Sequence, residues 1–190
     1  MKKIDTAQSS YRLRKTPFGP VAVLWSIYRG QPKILRVLLS NSQVSAMELV
    51  KTSFPDFISS SCAEIDVVAD QIVAFLTGDD IHFCLEIARL DLCPRFQQKV
   101  LRAEHGIPRG RVSTYRRIAR YLGNDKGARA IGTALANNPF PIIIPCHRAI
   151  RSDGTLGGYQ GGLAMKRALL EMEGVLFNAF GRVVTEEVFY

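Results

Sequence analysis

The sequence predicts an α/β N-terminal domain over residues 1–92, followed by a mainly α-helical C-terminal domain with a helix-turn-helix over residues 93–190. Short runs of β-branched and aromatic residues between turn residues dominate the start of the chain, whereas helical spacing dominates the second half. The first 93 residues carry ten basic and ten acidic side chains, so the whole net charge of +8 lies in the second half. At 190 residues, the chain is long enough to bury a substantial core.

The N-terminal half has the pattern of a small sheet with helices. Residues 11–39 are rich in Val, Ile, Leu, Trp and Tyr and are interrupted by Thr16–Pro20 and Arg29–Pro32, which predicts short strands joined by turns. Helical spacing and a final apolar run then predict two helices and a further strand, at Val44–Phe54, Val67–Leu76 and Phe83–Leu90. No recognisable chemical motif occurs in this half, so we expect it to act as a scaffold.

The C-terminal half contains the helix-turn-helix pattern. After a predicted helix over residues 94–105 and a loop, a second helix is predicted over residues 113–122 with Ser113 as its N-cap. Gly123-Asn124 form a tight turn before a third predicted helix over Lys126–Ala136. Two short helices joined by a short glycine-containing turn are typical of DNA-binding proteins, in which the second helix enters a groove.

The third helix has an outward face of one arginine among small residues. A projection at 100° per residue turns Ala128, Ile131 and Leu135 toward the core. The residues that face outward or flank that face are Lys126, Arg129, Thr133, Ala136, Ala130 and Gly132. Residues 109–129 also hold seven basic side chains and one acidic, which indicates a nucleic-acid surface. A solvated basic surface and a purely structural helix pair are the alternatives.

A reactive cysteine is predicted where an apolar run ends. Ile142–Ile144 leads to Pro145-Cys146-His147-Arg148, so the cysteine is delivered to a fixed place beside groups that favour its thiolate, the reactive form. An inert buried cysteine is the alternative. In an extended segment Cys146 and His147 would point to opposite faces, so a water would link them. A carboxylate beyond the histidine, for which Glu173 is a candidate, would hold its tautomer.

A glycine-rich loop follows the cysteine. Residues 154–162 contain five glycines, so the backbone can approach a ligand closely. No Gly-Lys-Ser/Thr follows, which excludes a phosphate-cradling loop. A last helix is predicted over Leu163–Glu173, ending at Gly174, and the tail over residues 175–190 is apolar enough to pack.

Four cysteines and three histidines show no regular metal spacing, so we expect free thiols, no metal and no cofactor. A zinc site of His82, Cys84 and Cys93 is the alternative. No apolar run approaches the roughly 20 residues that span a bilayer, and Met1–Asp5 lacks a secretory apolar segment. We therefore expect an intracellular protein without a membrane partner, cytoplasmic in a prokaryote and nuclear in a eukaryote.

Residues 95–174 resemble the C-terminal domain of the O6-alkylguanine-DNA alkyltransferases, the methylated-DNA–protein-cysteine methyltransferases. The most specific part of the resemblance is Pro145-Cys-His-Arg148 between a helix-turn-helix and a glycine loop. The matching segments are Gly110–Tyr115, Ala128–Gly132, Asn138-Pro139, Ile144–Arg148, Gly157–Leu163 and Leu169–Gly174. The first half resembles the family's N-terminal domain loosely.

The resemblance implies a ribonuclease-H-like N-terminal domain and a winged-helix-like C-terminal domain. It implies a monomer that binds double-stranded DNA containing alkylated guanine through the minor groove and flips the damaged base out. The alkyl group would then pass irreversibly, in a single turnover, from guanine O6 to Cys146. Base flipping is also expected on physical grounds, because a stacked base hides its reacting atom from a protein nucleophile.

The resemblance also implies the roles of individual residues. His147 would take the thiol proton through a water, and Glu173 would orient His147. Tyr115 would rotate the nucleotide phosphate and donate to the departing guanine, while Asn138 would brace the turn. On the DNA side, Arg129 would fill the gap in the duplex. The small groove-facing residues would be Ala128, Ala130, Gly132 and Thr133, and the base pocket would hold Tyr159, Ala149, Pro141 and Gln160.

Two positions depart from the family pattern, and three other functions compete with this one. Ala149 stands where valine is more usual, which implies a roomier pocket, and Gln160 occupies a variable loop position. Alkyltransferase-like proteins only mark lesions and lack the nucleophile, so Cys146 argues against that class. A helix-turn-helix regulator would not explain Pro145–Arg148 or the glycine loop. A cysteine hydrolase would need a direct contact between nucleophile and base, together with a water path.

Overall fold

A computed structural model of the chain describes residues 9–185 and 188–190. Residues 1–5, which entered the expectation about a secretory segment, lie outside the described part. Contacts divide the chain into two compact units. The first contains the described residues up to Pro94 together with Pro139–Ile143, and the second contains Arg95–Asn138 and the described residues from Ile144 onward. Over the described ranges, no helix is long and apolar enough to cross a membrane.

The first unit is built on a small mixed sheet. Its strands are β1 (Ser9–Arg14), β2 (Val21–Tyr28), β3 (Gln31–Leu39) and β4 (Ile58–Ser59), in the order β3-β2-β1-β4. Strand β4 pairs with β1 in parallel, and the other pairs are antiparallel. The β2–β3 hairpin turns at Arg29 and Gly30, whose φ angles of 52° and 76° match the twist of the strands. The predicted strands and turns in this region are confirmed.

Two helices cover this sheet, α1 (Ala46–Ser53) and α2 (Ala63–Leu76). Helix α1 begins at a capping box in which the Ser45 and Glu48 side chains each accept the other's backbone N–H. Both predicted helices are confirmed, with α2 starting earlier than expected. The buried core between sheet and helix α1 is made of Ala22, Leu24, Leu35, Leu38, Ala46, Val50 and Phe57.

The predicted strand over Phe83–Leu90 is wrong. Leu85–Ile87 and Leu90–Leu92 form 3₁₀ turns instead. The amide of Ala88 donates to the carbonyl of Leu85 at 3.1 Å, so the apolar alternation is closed into a turn rather than extended. Within the described residues, this segment keeps a single bridge to the sheet, between Ile34 and Ala88.

The second unit is mainly helical. Its helices are α3 (Arg95–His105), α4 (Tyr115–Tyr121), α5 (Ala128–Ala136) and α6 (Gly162–Met172). Two short strands, β5 (Ser113–Thr114) and β6 (Ala149–Ile150), pair in parallel, and β7 (Leu176–Phe177) and β8 (Val183–Val184) form a hairpin. The four predicted helices are confirmed. Val112, Ile150, Leu170 and Val175 form a buried cluster in this unit.

Helix α4 begins one residue later than the N-cap prediction. Thr114 is the N-cap, and its hydroxyl accepts the Arg117 amide at 3.1 Å. The Ser113 hydroxyl instead donates to the Phe189 carbonyl at 2.6 Å. The described end of the tail packs on this unit, where Tyr190 stacks on Tyr121 with ring centroids 3.9 Å apart.

The chain around the cysteine is turned rather than extended, which corrects the prediction. Ile142 has a φ of 73°, a left-handed conformation that β-branched residues rarely adopt. Cys146–Arg148 form a 3₁₀ turn in which the Arg148 amide donates to the Pro145 carbonyl at 2.8 Å. The alternation expected for neighbouring side chains in a strand therefore does not apply to Cys146 and His147.

Candidate active site

Cys146 lies at the start of its 3₁₀ turn with 6% of its surface exposed. The Asn138 side-chain nitrogen Nδ2 donates to the sulfur Sγ at 3.2 Å and to the Ile144 carbonyl at 3.1 Å. Asn138 therefore contacts the cysteine sulfur as well as the backbone of the turn. Burial raises the pKa of the Cys146 thiol to about 11, although the hydrogen bond from Asn138 opposes the shift. The resting form is a thiol, so an activating base is needed.

His147 lies against a carboxylate that two other groups hold. Its Nε2 is 2.8 Å from Glu173 Oε1. The Arg148 guanidinium donates to both oxygens of Glu173, from Nε at 2.9 Å and from Nη2 at 2.9 Å. Arg148 also donates from Nη1 to the Ile107 carbonyl at 2.6 Å, which fixes the guanidinium in place. The structure therefore brings together His147 and Glu173, and adds Arg148, which sequence reasoning did not select.

The protonation states in this cluster follow from its charges. Burial alone would raise the pKa of Glu173, but the hydrogen bonds and charges of His147 and Arg148 lower it to about 2. Burial lowers the pKa of His147, and the attraction of Glu173 opposes that shift. We therefore assign an ionised Glu173 and a neutral His147. The carboxylate accepts the proton on Nε2, so Nδ1 is the basic nitrogen.

A cavity of about 350 Å³ opens beside Cys146. It is the size of a small-molecule site. Arg151 supplies a charge to its wall, and Leu135 and Ala136 supply apolar surface from helix α5. The lining residues are Tyr115, Gly132, Leu135, Ala136, Cys146, Arg151, Gly157, Gly158, Tyr159 and Gln160. Four predicted site residues thus meet the sulfur at one cavity, namely Tyr115, Gly132, Tyr159 and Gln160.

Two tyrosines shape this cavity. Burial raises the pKa of Tyr115 to about 12, so its phenol stays neutral and can donate a proton. A Cβ on Gly157, whose φ is 68°, would lie 2.6 Å from the Tyr115 hydroxyl oxygen, so only glycine allows this approach. Burial also raises the pKa of Tyr159 well above its usual range. The Tyr159 hydroxyl oxygen is buried and has no hydrogen-bond partner among the described residues.

The structure does not bring two of the predicted pocket residues to this cavity. The side chain of Ala149 is fully buried in β6, and Pro141 is buried in the first unit. Gln160 does line the cavity, and its Nε2 donates to the Asn138 carbonyl at 2.6 Å. Roominess of the cavity therefore depends on residues other than Ala149.

The outward face of helix α5 is close to the sequence projection. Arg129, Ala130 and Thr133 are exposed, and Ala128 and Gly132 are partly exposed. Ala134 is buried in place of Ala128, a small rotation of the predicted stripe. Gly132 also lines the cavity, so the helix borders both the surface and the site.

Lys166 on helix α6 is fully buried, which sequence reasoning missed. Its Nζ donates to the carbonyls of Ala149 at 2.6 Å, Leu156 at 2.6 Å and Gly158 at 3.4 Å. It therefore fastens the glycine loop to the strand that follows the cysteine. The available signal was its spacing, because Leu169 and Leu170 lie three and four residues further along the same helix face. Among the described residues, no cluster of His, Cys, Asp or Glu is placed to hold a metal ion.

Comparison with known proteins places this site in a family. A family model described as "6-O-methylguanine DNA methyltransferase, DNA binding domain" matches residues 95–175. A methylated-DNA–protein-cysteine methyltransferase of Methanothermobacter thermautotrophicus is 45% identical over 117 residues, which are 62% of this chain and 65% of that protein. One of Mycobacterium tuberculosis is 46% identical over 105 residues, 55% of this chain and 62% of that protein. These matches span less than two thirds of the relatives' own length.

Solved structures extend the match over nearly the whole fold. Crystal structures of M. tuberculosis OGT include a variant at 34% identity and the protein in complex with DNA at 32% identity, each with a TM-score of 0.68. Both alignments cover 87% of this chain, with 92% and 93% of the respective relatives. An O6-methylguanine-DNA methyltransferase from Pyrococcus kodakaraensis shares the fold at 23% identity and a TM-score of 0.63, over 88% of this chain and 99% of that one. With a matching domain model and a relative at 34% identity aligned over 92% of its length, the chain belongs to the family of methylated-DNA–protein-cysteine methyltransferases.

Proposed function

We propose that this protein repairs O6-alkylguanine in double-stranded DNA by transferring the alkyl group to Cys146 in one irreversible turnover. The observation that carries this proposal is the position of the Cys146 sulfur. It lines a cavity of about 350 Å³ beside Tyr115 and Tyr159 and accepts a hydrogen bond from Asn138. The crystallised DNA complex of M. tuberculosis OGT, a relative at 32% identity, supports DNA as the partner.

Helix α5 is the element proposed to enter the minor groove, as the second helix of a winged-helix-like helix-turn-helix. Its exposed Ala130 and Thr133, with the partly exposed Ala128 and Gly132, are small enough for the backbone to approach a narrow groove. Arg129 would extend into the duplex and occupy the gap left by the flipped nucleotide. Because Gly132 reaches the cavity wall from this helix, a base that leaves the stack has a short path to the sulfur.

The cavity would hold the flipped base. Tyr159 and Gln160 lie on its wall, and the free hydroxyl of Tyr159 provides a polar group for the base edge. Arg151 adds a positive charge to the same wall, where the phosphate of an extrahelical nucleotide would pass. Tyr115 would assist the rotation of that phosphate.

The chemistry begins with the thiol proton. It passes through a water to Nδ1 of His147, and the ionised Glu173 stabilises the resulting imidazolium. The thiolate then attacks the alkyl carbon, so an S–C bond forms while the C–O6 bond breaks and its electron pair stays on the guanine. The neutral phenol of Tyr115 donates a proton to the departing base and regains one through solvent from His147. None of the described residues that line the cavity is placed to cleave the thioether, so turnover stops there.

For the first unit we propose a ribonuclease-H-like scaffold, and for the protein a monomeric state and an intracellular location. The mixed sheet with two helices supports the scaffold assignment. The residues with a proposed part in the chemistry, Cys146, His147, Glu173 and Tyr115, all belong to one unit of one chain. The chemistry therefore needs only one copy of the chain, which supports the monomer.

The test is to incubate the protein with a duplex oligonucleotide that contains O6-methylguanine and to weigh the intact protein. A mass gain of one methyl group, mapped to the Cys146 peptide, is the expected result. Cys84→Ser is the matched control, because Cys84 is exposed and should not affect the gain. Binding without a mass gain would identify a lesion-marking protein, and release of free alcohol with sustained turnover would identify a hydrolase.

A further inference from the structure

Glu104, on helix α3, is a buried acid that the proposed mechanism does not use. Its side chain has no exposed surface, and neither carboxyl oxygen meets hydrogen-bond geometry with any described residue. The amide of Ala149 interacts with the carboxyl group and favours its ionised form, without completing a bond. An ionised carboxylate without donors is very costly inside a protein, whereas a protonated one is tolerated.

The hydrogen-bond acceptors around the Lys166 side chain favour its charged form. Its nitrogen donates to three carbonyl oxygens, those of Ala149, Leu156 and Gly158. A neutral amine has two N–H groups, whereas an ammonium has three, so three carbonyl acceptors favour the charged form. Ala149 thus contacts both groups. Its carbonyl accepts from Lys166, and its amide interacts with the carboxyl group of Glu104.

The groups that face Glu104 come from every element around it. Lys166 on α6 and Arg148 in the 3₁₀ turn attract its charge. In return, an ionised Glu104 raises the pKa of Cys146, of Tyr115 on α4 and of Tyr190 in the tail. Arg148 is already compensated by its two bonds to Glu173. The net charge felt by the sulfur therefore depends on Glu104 and Lys166.

We propose that Glu104 is kept as the neutral acid beside a charged Lys166, and that the uncompensated lysine charge stabilises the thiolate of Cys146. This inference rests on the proposed function for its biological use, but not for its chemistry. Burial raises the pKa of Glu104 to about 8 and lowers that of Lys166 to about 8, so both are in the stated forms at pH 7. Above that pH, Glu104 ionises while Lys166 loses its own proton, so a negative charge near the sulfur is no longer balanced and the thiolate is disfavoured.

The first test needs no DNA. Thermal melts of the wild type, Glu104→Gln and Glu104→Leu are compared at pH 5.5 and pH 8.5. The folded pKa of Glu104 lies above its unfolded value, so its contribution to stability is present at low pH and is lost as pH rises toward 8. The melting temperature of each variant, measured relative to that of the wild type, should therefore rise by at least about 4 °C from pH 5.5 to pH 8.5. Glu171→Gln, on the exposed surface of α6, is the matched control and should show no such gain.

The second test measures the thiolate directly. Cys146 is labelled with iodoacetamide, and its peptide is quantified by mass spectrometry from pH 6.5 to pH 9. The ratio of labelling rates, Glu104→Gln over wild type, should be close to one at pH 6.5 and rise to about threefold or more at pH 9. The rate of methyl transfer from O6-methylguanine DNA should follow the same ratio.

The outcomes are separable. A melting difference that is constant or falls with pH would overturn the neutral-acid state. A rising melting difference with a flat labelling ratio would overturn the coupling to Cys146. If the labelling ratio rises but no methyl is transferred from DNA, the proposed function fails and this inference stands.

Discussion

Arg148 and Glu173 are joined at two points, with Nε to Oε2 and Nη2 to Oε1 each at 2.9 Å, in a site where the Glu173 side chain is 1% exposed. The same Oε1 is 2.8 Å from His147 Nε2. A single carboxylate thus neutralises a buried arginine and orients the proposed base. Removal of this carboxylate should therefore affect both the stability of the fold and the proposed chemistry. Measurements at different pH values can separate the two effects.

The first prediction concerns acid stability. The pKa of Glu173 is about 2 in the folded protein, below its ordinary 4.5. A lowered folded pKa means that the stabilisation is present above about pH 4.5 and is lost as pH falls toward 2, about 3 kcal/mol in total. Glu173→Gln should therefore melt far below the wild type at pH 7, and this difference should shrink at pH 3.5. Glu171→Gln on the same helix is the control. A difference that does not change with pH would refute the ionised state of Glu173.

The second prediction concerns the nucleophile. Cys146→Ser should abolish alkyl transfer and leave duplex affinity within about twofold, because the proposed phosphate contacts lie elsewhere. In the wild type, product should plateau at one equivalent per protein, since a thioether is inert. Transfer assays in excess substrate and binding titrations measure both quantities. Continued product formation beyond one equivalent would contradict a single turnover.

The third prediction separates base flipping from chemistry. Arg129→Ala should slow transfer from duplex O6-methylguanine far more than transfer from the free alkylated base, because a free base needs no flipping. The expected loss on duplex is a few kcal/mol at most, which is up to about a hundredfold in rate. Arg167→Ala, an exposed arginine on α6, is the control. Equal losses on both substrates would show that Arg129 does not hold the gap in the stack.

The fourth prediction is that alkylation destabilises the protein. Cys146 is 6% exposed and its sulfur accepts a hydrogen bond from Asn138. A methyl group added against the packed neighbours of the sulfur costs about 1–3 kcal/mol. Since each kcal/mol lowers the melting temperature of a domain this size by roughly 2–4 °C, the methylated form should melt several degrees lower.

The control for this prediction is protein incubated with the undamaged oligonucleotide. A benzyl group should lower the melting temperature further than a methyl group, because Ala149 is buried and gives the cavity no extra room. An alkylated form that melts at or above the unmodified temperature would mean that the site is loosely packed.

Much of the local structure was predictable because short-range rules decide it. The turn at Arg29-Gly30, the helices and the outward face of α5 follow from residue type and spacing. The structure of the segment from Phe83 to Leu90 was not predictable. An alternating apolar segment can close into 3₁₀ turns when, within the described residues, only one bridge ties it to a sheet. Ile142 was not predictable either, since its left-handed backbone runs against the preference of its own side chain.

Prediction of the site was limited by tertiary contacts. Cys146, His147 and the glycine loop are contiguous features of the sequence. Glu173 was a candidate carboxylate that only the resemblance could select, and Arg148 was seen only as part of the motif. Lys166 and Glu104 have charged side chains that residue type assigns to the surface, yet both are fully buried. Only the folded arrangement reveals that Lys166 donates to three carbonyl groups, whereas Glu104 completes no hydrogen bond among the described residues.

The close approach of Gly157 to the Tyr115 hydroxyl has a practical consequence for redesign of the cavity. Any side chain at position 157 would collide with the phenol, so the loop backbone and the proposed proton donor can only be altered together. Directed evolution toward bulkier adducts would gain nothing there. Leu135, Ala136 and Gln160 also line the cavity and have side chains that can be exchanged. A library confined to those three positions would widen the acceptor site while the leaving-group chemistry stayed intact.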